Sequence, residues 1–402
     1  MSGNPIRVCM LSFYFYPSYS GSAVQAGNLS RRLVERGIEP LFVSANLTGA
    51  APTEVVDGLR VVRLPLMKTQ DLQIPSFWLS LVWFFLRKRK SFDIIHAHGT
   101  FQHAVASVVG RWLRKPTILK VTMAQSDLAF HKHGRMWGRV NRYFVTRFDC
   151  FIAISTEVHQ EFLARGFDAR RIRVIPNGVD TDVFHPAAAE SRDWLRSAIG
   201  LPAKPTVIYV GVIDARKNVD GILRVWKRVR EKTAIGQLVL VGPMPREDEA
   251  TPGPFFQKLN AYVRDNGLAE SVIFVGQQAD VPSYLRAADI FLFPSRREGM
   301  PNALLEAMAS GLASVSSDIG GSRDLIRHGE DGYLHEVDDE QGMAASVAGL
   351  LQDPALTARI GATAHGKIVK GFSLEVTAER YLQLYRELLN RDRDSTGARS
   401  IH

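Results

Sequence analysis

The chain has 402 residues, 46% of them hydrophobic and 23% charged, which is the composition of a globular protein large enough for two domains. Its two cysteines exclude a disulfide framework, the first residues lack a secretory pattern, and the longest apolar run, about ten residues, is too short to cross a membrane. The net charge of +9 comes entirely from residues 1–184, where 24 Lys and Arg stand against 13 Asp and Glu, so this half meets either an anionic partner or only solvent.

The first half of the chain alternates short apolar strands with helical stretches. Several strands are rich in Val and Ile without polar alternation, as expected for strands buried on both faces. Residues 22–37 have helical apolar spacing and end on Gly37, a glycine typical of a helix C-terminus. This rhythm predicts a parallel sheet with helices on both faces. The predicted strands are 7–12, 40–46, 59–65, 93–99, 117–122, 150–155 and 173–176.

The same rhythm restarts after a linker, HPAAAESRD, at 185–193. The chain therefore predicts two doubly wound α/β domains in tandem, with ligands bound at the carboxyl ends of the strands. A helical segment, 373–390, follows, and we expect the tail, 391–402, to be disordered. The predicted strands of the second half are 206–212, 237–242, 272–276, 290–295 and 312–318.

The segment EGMPNALLE, residues 298–306, combines a loop and a helix start. Pro301 suits the first turn of a helix, where its missing N–H would have had no partner anyway. Gly299 lets the backbone approach a ligand closely. The N–H groups of first-turn residues such as Asn302 and Ala303 then form an anion site.

Two glutamates frame this segment. Glu306 lies about one turn into the helix, where its carboxylate can accept hydrogen bonds from a sugar diol without meeting a phosphate. Glu298, on the loop, can reach another hydroxyl-bearing group. The pattern fits a ligand with phosphate and sugar parts. The alternative is that both residues are ordinary surface acids.

The segment resembles the E-x7-E motif of retaining glycosyltransferases of family 4. The resemblance continues in IPNGVDTDVFHP (175–186), in AADIFLFPSRREGMPNALLEAMASG (287–311) and in SSDIGGSRDLIRHGEDGYL (316–334). It covers essentially the whole chain and is strongest from 171 to 340. Several motifs in the family's order and spacing are a much more specific signal than one short match.

The resemblance implies the GT-B fold, in which two Rossmann-like doubly wound domains face each other across a cleft. The acceptor domain would be residues 1–184 and the nucleotide-sugar donor domain residues 185–372. The helix 373–390 would return to the first domain, and 391–402 would be a tail.

The resemblance also implies roles for individual residues. Glu306 would bind the ribose of the donor, and Glu298 would contact the transferred sugar as a catalytic residue. Backbone groups around Gly276 would recognise the base. The diphosphate would be held by the backbone after Glu298, namely by Gly299, Met300, Asn302 and Ala303.

Two cation positions depart in part from the family pattern. Members often have Gly-Arg and then Lys about five residues on, and the two cations clamp the diphosphate. Lys217 is at the matching place, but Val212 occupies the arginine position, and the adjacent Arg216 is the candidate substitute. The phosphate turn after the first strand has Gly21-Ser22 where the family usually has two glycines, so Ser22 adds a hydroxyl donor.

The largest departure is in LKVTMAQSD, residues 119–127. Many members have a histidine that contacts the donor sugar near the position of Ala124. This loop has Gln125, Ser126 and Asp127 instead, and Asp127 is the candidate hydroxyl acceptor and second catalytic residue. The histidines at positions 131 and 133, among basic residues, are expected to be solvated or to face the acceptor.

We expect no metal and no cofactor. Acidic pairs occur at 180/182 and 392/394, the first in a segment that the family pattern makes a structural turn. His96 and His98 share a strand face and could ligate a metal, although a packed pair is the more ordinary arrangement. GT-B enzymes generally need no metal, because cations and helix N-termini neutralise the leaving diphosphate.

The segment IPSFWLSLVWFFLRKRK, residues 74–90, allows two interpretations. One is a helix packed on the sheet, with its basic end favoured by the helix dipole. The other is partial insertion into a membrane interface, with Trp and basic anchors that contact anionic lipid.

Together these features predict a retaining hexosyltransferase that moves a sugar from a nucleotide diphosphate-sugar to a hydroxyl acceptor, in cell-envelope glycan or glycolipid assembly. The acceptor would be lipid-linked or a glycan, and the protein cytoplasmic, peripheral at the inner face of the plasma membrane. No basic-aromatic module suggests a nucleic acid partner. The alternatives are an NDP-sugar epimerase and an inactive nucleotide-sugar-binding scaffold.

Overall fold

A computed structural model describes residues 5–17, 20–99, 103–123, 127–128, 135–188, 191–244 and 253–397. The chain divides into two compact units, Met1–Gly178 with Leu374–His402, and Val179–Ser373. The sequence placed this boundary after residue 184. The structure ends the first unit at Gly178. A Cβ at Gly178 would lie 2.8 Å from Thr377 Oγ1, so this glycine packs closely against the final helix.

The first unit is a doubly wound sheet of eight strands in the order β3-β4-β2-β1-β5-β6-β7-β8. Its strands are β1 (Ile6–Ser12), β2 (Ile38–Ala45), β3 (Thr53–Val56), β4 (Leu59–Leu64), β5 (Ile94–His98), β6 (Thr117–Val121), β7 (Cys150–Ala153) and β8 (Ile172–Val174). Its helices are α1 (Gly21–Val34), α2 (Gln70–Lys88), α3 (Val105–Trp112), α4 (Arg135–Val145), α5 (Thr156–Ala164) and the final helix α14 (Leu374–Gly397).

The core of this unit lies between the sheet and the helices α1 and α14. Alternate residues of β1, β2 and β4 point into it, and Tyr381 and Tyr385 of α14 are fully buried there. Arg32 of α1 pairs with Glu375 of α14 at 3.0 Å. Both cysteines are buried and unbridged, and burial raises the pKa of the Cys150 thiol to about 12.

The second unit is a six-stranded parallel sheet in the order β11-β10-β9-β12-β13-β14. Its strands are β9 (Thr206–Val210), β10 (Gln237–Val241), β11 (Val272–Gly276), β12 (Ile290–Phe293), β13 (Ala313–Ser317) and β14 (Tyr333–His335). Its helices are α6 (Arg192–Ala198), α7 (Val219–Lys232), α8 (Pro254–Asp265), α9 (Val281–Ala287), α10 (Asn302–Ala309), α11 (Gly320–Leu325), α12 (Glu340–Gln352) and α13 (Pro354–Phe372). The predicted α/β class with two doubly wound sheets is confirmed.

Three details differ from the sequence analysis. The strand β3 was not predicted and pairs antiparallel with β4. Asp57 and Gly58 join the two strands with φ angles of 47° and 79°, as a two-residue hairpin turn requires. The short strand β14 was also missed. Finally, α14 continues to Gly397 where a disordered tail was expected, because RDRDSTG contains no proline to end the helix.

Candidate active site

The sheet of the second unit changes direction between β9 and β12. From β9 the chain moves outward through β10 to β11, and it then returns to place β12 on the other side of β9. In open parallel sheets the crevice beyond the carboxyl ends of two such strands is where ligands bind. The loops after β9 and β12, together with the helix α10 that follows the second of them, carry most of the predicted donor-site residues.

Three neighbouring strands of this sheet end in glycine at the same edge. Gly211 follows β9, Gly242 follows β10 and Gly276 ends β11, and their φ angles are 154°, 148° and 81°. The Gly242 N–H donates to the Gly276 carbonyl at 2.8 Å, and a Cβ at Gly242 would lie 1.9 Å from the Gly211 carbonyl oxygen. Backbone groups therefore line this edge. Gly276 was predicted from the sequence. Gly211 and Gly242 were missed, although each belongs to the same Val-Gly strand ending.

The loops after β9 and β12 meet in an ion pair. The Lys217 ammonium donates to Glu298 Oε1, and Ser295 Oγ donates to the same oxygen at 2.9 Å. The side chains of Lys217 and Glu298 are 22% and 11% exposed, so the pair is shielded but still reachable from solvent. The sequence assigned these two residues to the diphosphate and to the sugar, and the structure places them in direct contact.

Two polar residues fix the position of Lys217. Asp214 Oδ1 accepts the Lys217 backbone N–H at 2.9 Å and caps the 3-10 turn that contains it. Asn218 ends that turn in the left-handed region, with φ 58°, and its buried amide donates to the Pro294 carbonyl at 3.0 Å. The lysine loop is thus tied to the loop after β12. Asn218 was not predicted, although Asn is among the residues that most often adopt this backbone conformation besides glycine.

The candidate for the missing arginine lies in a different environment from Lys217. The guanidinium of Arg216 is exposed, and its nearest carboxylate contact is with Asp214 at 3.5 Å. Val212 at the family's arginine position contributes its carbonyl, which accepts a hydrogen bond from the Tyr209 hydroxyl at 3.1 Å. Burial raises the pKa of Tyr209, so its hydroxyl stays neutral.

The turn before α10 is held by close backbone packing. Pro301 is the N-cap residue of α10, with φ −77° and ψ 108°, one position earlier than the predicted first turn. A Cβ at Gly321 would lie 2.5 Å from the Gly299 carbonyl oxygen and 2.8 Å from Met300 Cα. Only glycine fits at position 321, so the Gly-Gly pair that begins α11 shapes this turn. Asn302 and Ala303 begin α10, and Met300 is buried beneath the turn.

Glu306 lies in the second turn of α10 and differs from Glu298 in its surroundings. Among the residues that the structure describes, no side chain or backbone group donates a hydrogen bond to its carboxylate. Burial raises its pKa to about 7. A carboxylate that is half-buried and lacks donors is suited to accept hydrogen bonds from the hydroxyls of a ligand.

The remaining predicted residues belong to the first unit. Gly21 and Ser22 begin α1, and the Ser22 hydroxyl lies 3.0 Å from that of the N-cap residue Ser20. Asp127 Oδ2 accepts three hydrogen bonds, from Thr122 N at 2.8 Å, Thr122 Oγ1 at 2.9 Å and Met123 N at 3.1 Å. The Asp127 carboxylate therefore closes the turn after β6. Gln125, Ser126 and the histidines at positions 131 and 133 lie outside the described residues.

The paired histidines of β5 are buried. His96 Nδ1 is 2.9 Å from the Tyr385 hydroxyl, and its ring stacks on that of His98 with 4.5 Å between centroids. Burial lowers the pKa of His96 to about 3, so the ring is neutral. Within the described parts of the chain, no cluster of three or more His, Cys, Asp or Glu has the arrangement of a metal site.

Two family models match consecutive parts of the chain. Residues 19–183 match the model described as Glycosyltransferase Family 4, and residues 204–353 match Glycosyl transferases group 1. The chain is a family 4 glycosyltransferase. Together the two matches span both structural units, in the order that the sequence motifs predicted.

Curated relatives of this glycosyltransferase match along almost its full length. An N-acetyl-alpha-D-glucosaminyl L-malate synthase of Bacillus anthracis is 25% identical and covers 94% of this chain and 97% of its own. The lipopolysaccharide core biosynthesis mannosyltransferase LpcC of Rhizobium leguminosarum is 27% identical, with 94% and 99% coverage. Such relatives do not favour the epimerase alternative.

Solved structures show the same fold. A sucrose-phosphate synthase from Thermosynechococcus elongatus superimposes with a TM-score of 0.77 at 22% identity, covering 96% of this chain and all of that chain. The Anabaena protein HepE, in a complex with UDP-glucose, gives a TM-score of 0.75 at 19% identity, with 95% and 100% coverage. The GT-B fold of this glycosyltransferase is therefore confirmed.

Proposed function

We propose that this glycosyltransferase takes a nucleotide diphosphate-sugar on its second unit and transfers the sugar to a hydroxyl acceptor with retention of configuration. The observation that carries the proposal is the Lys217–Glu298 pair beyond β9 and β12. It puts one cation and one hydroxyl-binding carboxylate at the point of the sheet where a diphosphate and its sugar would meet.

In this proposal each part of the donor has its own contact. The ribose hydroxyls donate to the Glu306 carboxylate, which has no other donor among the described residues. Backbone groups near Gly276 meet the base. The diphosphate lies on Lys217 and on the start of α10, with Arg216 able to swing towards it from its exposed position.

The chemical step follows from this arrangement. The bond between the sugar C1 and the diphosphate oxygen breaks, and a bond from C1 to the acceptor oxygen forms on the same face. The acceptor proton passes to an oxygen of the leaving diphosphate. Lys217 exchanges its contact with Glu298 for the diphosphate and stabilises the charge that develops there, while Glu298 accepts a hydrogen bond from the sugar.

Asp127 was predicted from the sequence to be a catalytic residue, and we propose a positioning role for it instead. Its carboxylate holds the turn after β6 through Thr122 and Met123. We propose that it acts by shaping this turn, with its contacts to the turn retained when substrate binds. Gly21 and Ser22 would present the first turn of α1 to the donor phosphates.

The proposed acceptor is a lipid-linked or glycan hydroxyl of the cell envelope. One relative, 27% identical over 76% of this chain and 78% of its own, is a UDP-Gal:alpha-D-GlcNAc-diphosphoundecaprenol alpha-1,3-galactosyltransferase of Escherichia coli. LpcC acts in lipopolysaccharide core biosynthesis. An acceptor of this class would explain why the first unit carries the positive charge of the chain.

We propose that the protein is cytoplasmic and that its first unit contacts an anionic membrane surface. No helix in the described part of the chain is long and apolar enough to span a bilayer. Helix α2 packs through Phe77, Leu81 and Phe85, which are fully buried, yet its outer side leaves Leu79 73% and Trp83 60% exposed. One face of the helix is thus packed on the unit. The other face, with the basic run 87–90 that begins in the last turn of α2, is the part that would contact the membrane.

The test is incubation with labelled UDP-, GDP- and ADP-sugars, with and without a membrane extract as a source of acceptor. A transferase releases nucleoside diphosphate in step with loss of the sugar and depends on the extract. An isomeric sugar in the absence of extract, or binding without turnover, would contradict the proposal.

A further inference from the structure

A groove of about 1070 Å³ lies on the first unit, on the side of the sheet that carries α2. This volume is at the upper end of the range for ligand pockets, about 300–1,000 Å³. The groove runs between the outer strands β2 and β4 and the C-terminal half of α2. Its described lining residues all belong to the first unit, and none of them is a residue of the candidate active site.

The groove exists because helix α2 covers only part of one face of these outer strands. On this face Val43 and Leu64, towards the carboxyl ends of β2 and β4, are buried. Phe42 of β2 and Val61 of β4 point to α1 and are fully buried. Their neighbours Leu41, which precedes Phe42, and Val62, which follows Val61, point the other way and are only half-buried. Strands of a doubly wound sheet are normally covered on both faces, so this apolar floor is incomplete as it stands.

Basic side chains gather at one end of the groove. Arg60, Arg87, Lys88 and Lys90 line it, and none of them has a carboxylate partner within the described residues. The guanidinium of Arg87 instead lies 5.3 Å from the centre of the Trp83 ring. These cations are exposed and reach solvent, and their position beside an apolar floor suits an anionic ligand that also carries apolar surface.

The other charged residues of the lining do not remove the positive charge of the groove. Arg7 is paired with Asp93 at 2.7 Å, and Arg63 is paired with Glu54. Among the described lining residues, Glu39 is the single acidic one. The groove therefore keeps a positive excess after its internal pairs are subtracted.

The basic end has a defined position on the sheet. Arg7 Nη1 donates to the Lys90 carbonyl at 2.6 Å, which places the end of the basic run beside the first residues of β1. The apolar end, at Leu64 and Pro65, lies where β4 finishes. The cations are thus at the amino edge of the sheet, whereas substrates of this fold bind at the carboxyl edge. A ligand whose head group lay on this basic end would therefore be distinct from the acceptor.

We propose that the groove binds one anionic lipid molecule, with its hydrocarbon chain on Leu41, Val62 and Phe84 and its phosphate on the basic end. The lipid would be drawn from the membrane that the first unit contacts. This inference deepens the proposed membrane contact and rests on it for the source of the lipid. An amphipathic peptide or a second copy of this chain could also cover the apolar floor. The unpaired cations favour an occupant that carries a phosphate.

A monomeric amphiphile separates the groove from the membrane surface. Calorimetry with dodecyl phosphate below its micelle concentration should show saturable binding with one site. Inorganic phosphate and dodecyl maltoside, which carry only the head charge or only the chain, should each bind about tenfold more weakly or worse. The emission of Trp83 should shift to shorter wavelength on binding, and the shift should be missing in Trp83→Phe.

One variant changes the apolar floor of the groove, and a second changes its basic end. Val62→Trp fills the floor, and the combined change R60Q/R87Q/K88Q/K90Q removes the head-group contacts. Each should weaken dodecyl phosphate about tenfold or more while nucleoside diphosphate binding stays unchanged. The matched control is K204Q/K227Q/K232Q/K258Q, which removes four charges from the second unit and should bind dodecyl phosphate like the wild type. Circular dichroism confirms that each variant is folded.

The outcomes distinguish this inference from the membrane contact. If the wild type binds anionic vesicles but not dodecyl phosphate, the groove proposal is wrong and the membrane contact stands. If Val62→Trp is folded and binds dodecyl phosphate as the wild type does, the floor is not the site. Equal affinity for dodecyl phosphate and inorganic phosphate would reduce the groove to a charged patch, and would also overturn the proposal.

Discussion

Each unit has a lysine near the carboxyl end of a parallel strand, and the two lysines differ in burial and in pairing. Lys217 of the second unit is partly exposed and paired with Glu298. Lys120 of the first unit is buried in β6, has no carboxylate partner in the described chain, and lies 5.8 Å from the centre of the Tyr381 ring. Burial lowers the pKa of Lys120 to about 8.

The difference shows what pairing does for a cation. The Lys217 ammonium is paired with a carboxylate, and that carboxylate can be exchanged for a phosphate of similar charge. Lys120 has lost part of its preference for the charged form, because the interior disfavours an uncompensated charge. The first lysine is suited to bind a ligand, and the second costs the fold stability. Substitutions in both units test this contrast, from the largest expected effect to the smallest.

Replacing Lys217 by Met should have the largest effect, because it removes the cation that stabilises the leaving diphosphate. We expect turnover to fall about 10²- to 10³-fold, the usual loss when one preorganised electrostatic contact is removed. Steady-state release of nucleoside diphosphate is the measurement. Turnover within about threefold of the wild type would show that Arg216 or the helix start suffices without this lysine.

Glu298→Gln should separate binding from turnover. The change breaks the ion pair and frees Lys217, so the affinity for bare nucleoside diphosphate should be kept or rise slightly. The sugar contact is lost, so turnover with the full donor should fall. Calorimetry with nucleoside diphosphate and kinetics with the donor should therefore move in different directions, and a parallel loss would contradict the assigned role.

Glu306→Gln should weaken nucleoside diphosphate binding, because the ribose loses charge-assisted hydrogen bonds worth about 1.5–3 kcal/mol each. This corresponds to roughly 10- to 150-fold per bond. In the wild type the affinity should fall as the pH drops below about 7, where the Glu306 carboxyl becomes protonated. In the variant this pH dependence should disappear, and a wild-type profile that stays flat between pH 6 and 8 would contradict the role.

Lys120→Met should stabilise the first unit at neutral pH. The folded-state pKa of about 8 is below the usual 10.5, so folding must take a proton from the lysine or bury its charge. A pKa difference of one between the folded and unfolded states corresponds to about 1.4 kcal/mol, so the difference between 10.5 and about 8 predicts a gain of about 3 kcal/mol at pH 7. It should shrink between pH 8 and 10.5 and vanish above, as thermal unfolding across this pH range would measure. Lys217→Met gives the contrast, because its lysine is already paired and no such gain is expected.

The basic run 87–90 at the end of α2 should contribute the smallest free energy per residue, in binding to a membrane surface. Replacing residues 87–90 with Gln should weaken binding to anionic vesicles by about 1 kcal/mol per charge near the surface, and added salt should do the same. Vesicle co-sedimentation is the measurement. Equal retention on neutral and anionic vesicles would count against the membrane contact.

Much of the fold could be predicted from the sequence, because strands buried in a parallel sheet consist of uninterrupted runs rich in Val and Ile. The hairpin of β3 was missed although Asp57-Gly58 is a strong turn signal, since the strand itself has only four residues. The register and order of the strands do not follow from periodicity, and the sheet order is what brings the two halves of the candidate site together.

The site shows the same limit. The motif identified Glu298 and Lys217, but it gave no sign that they contact each other across 81 positions of the chain. Asn218 and Gly321 were missed because their roles depend on a backbone angle and on a close approach of two turns. A family pattern identifies the residues of a site. Which of these residues contact each other is seen only in the folded structure.

The final helix has a consequence for how the protein is made. Residues 374–397 complete the core of a unit whose other part ends at Gly178, so the whole second unit is inserted between them. During synthesis the first 178 residues leave the ribosome with the surface for Tyr381 and Tyr385 still uncovered. The second unit is contiguous and can fold as soon as it has emerged. The unit that starts the chain is therefore the last to finish folding.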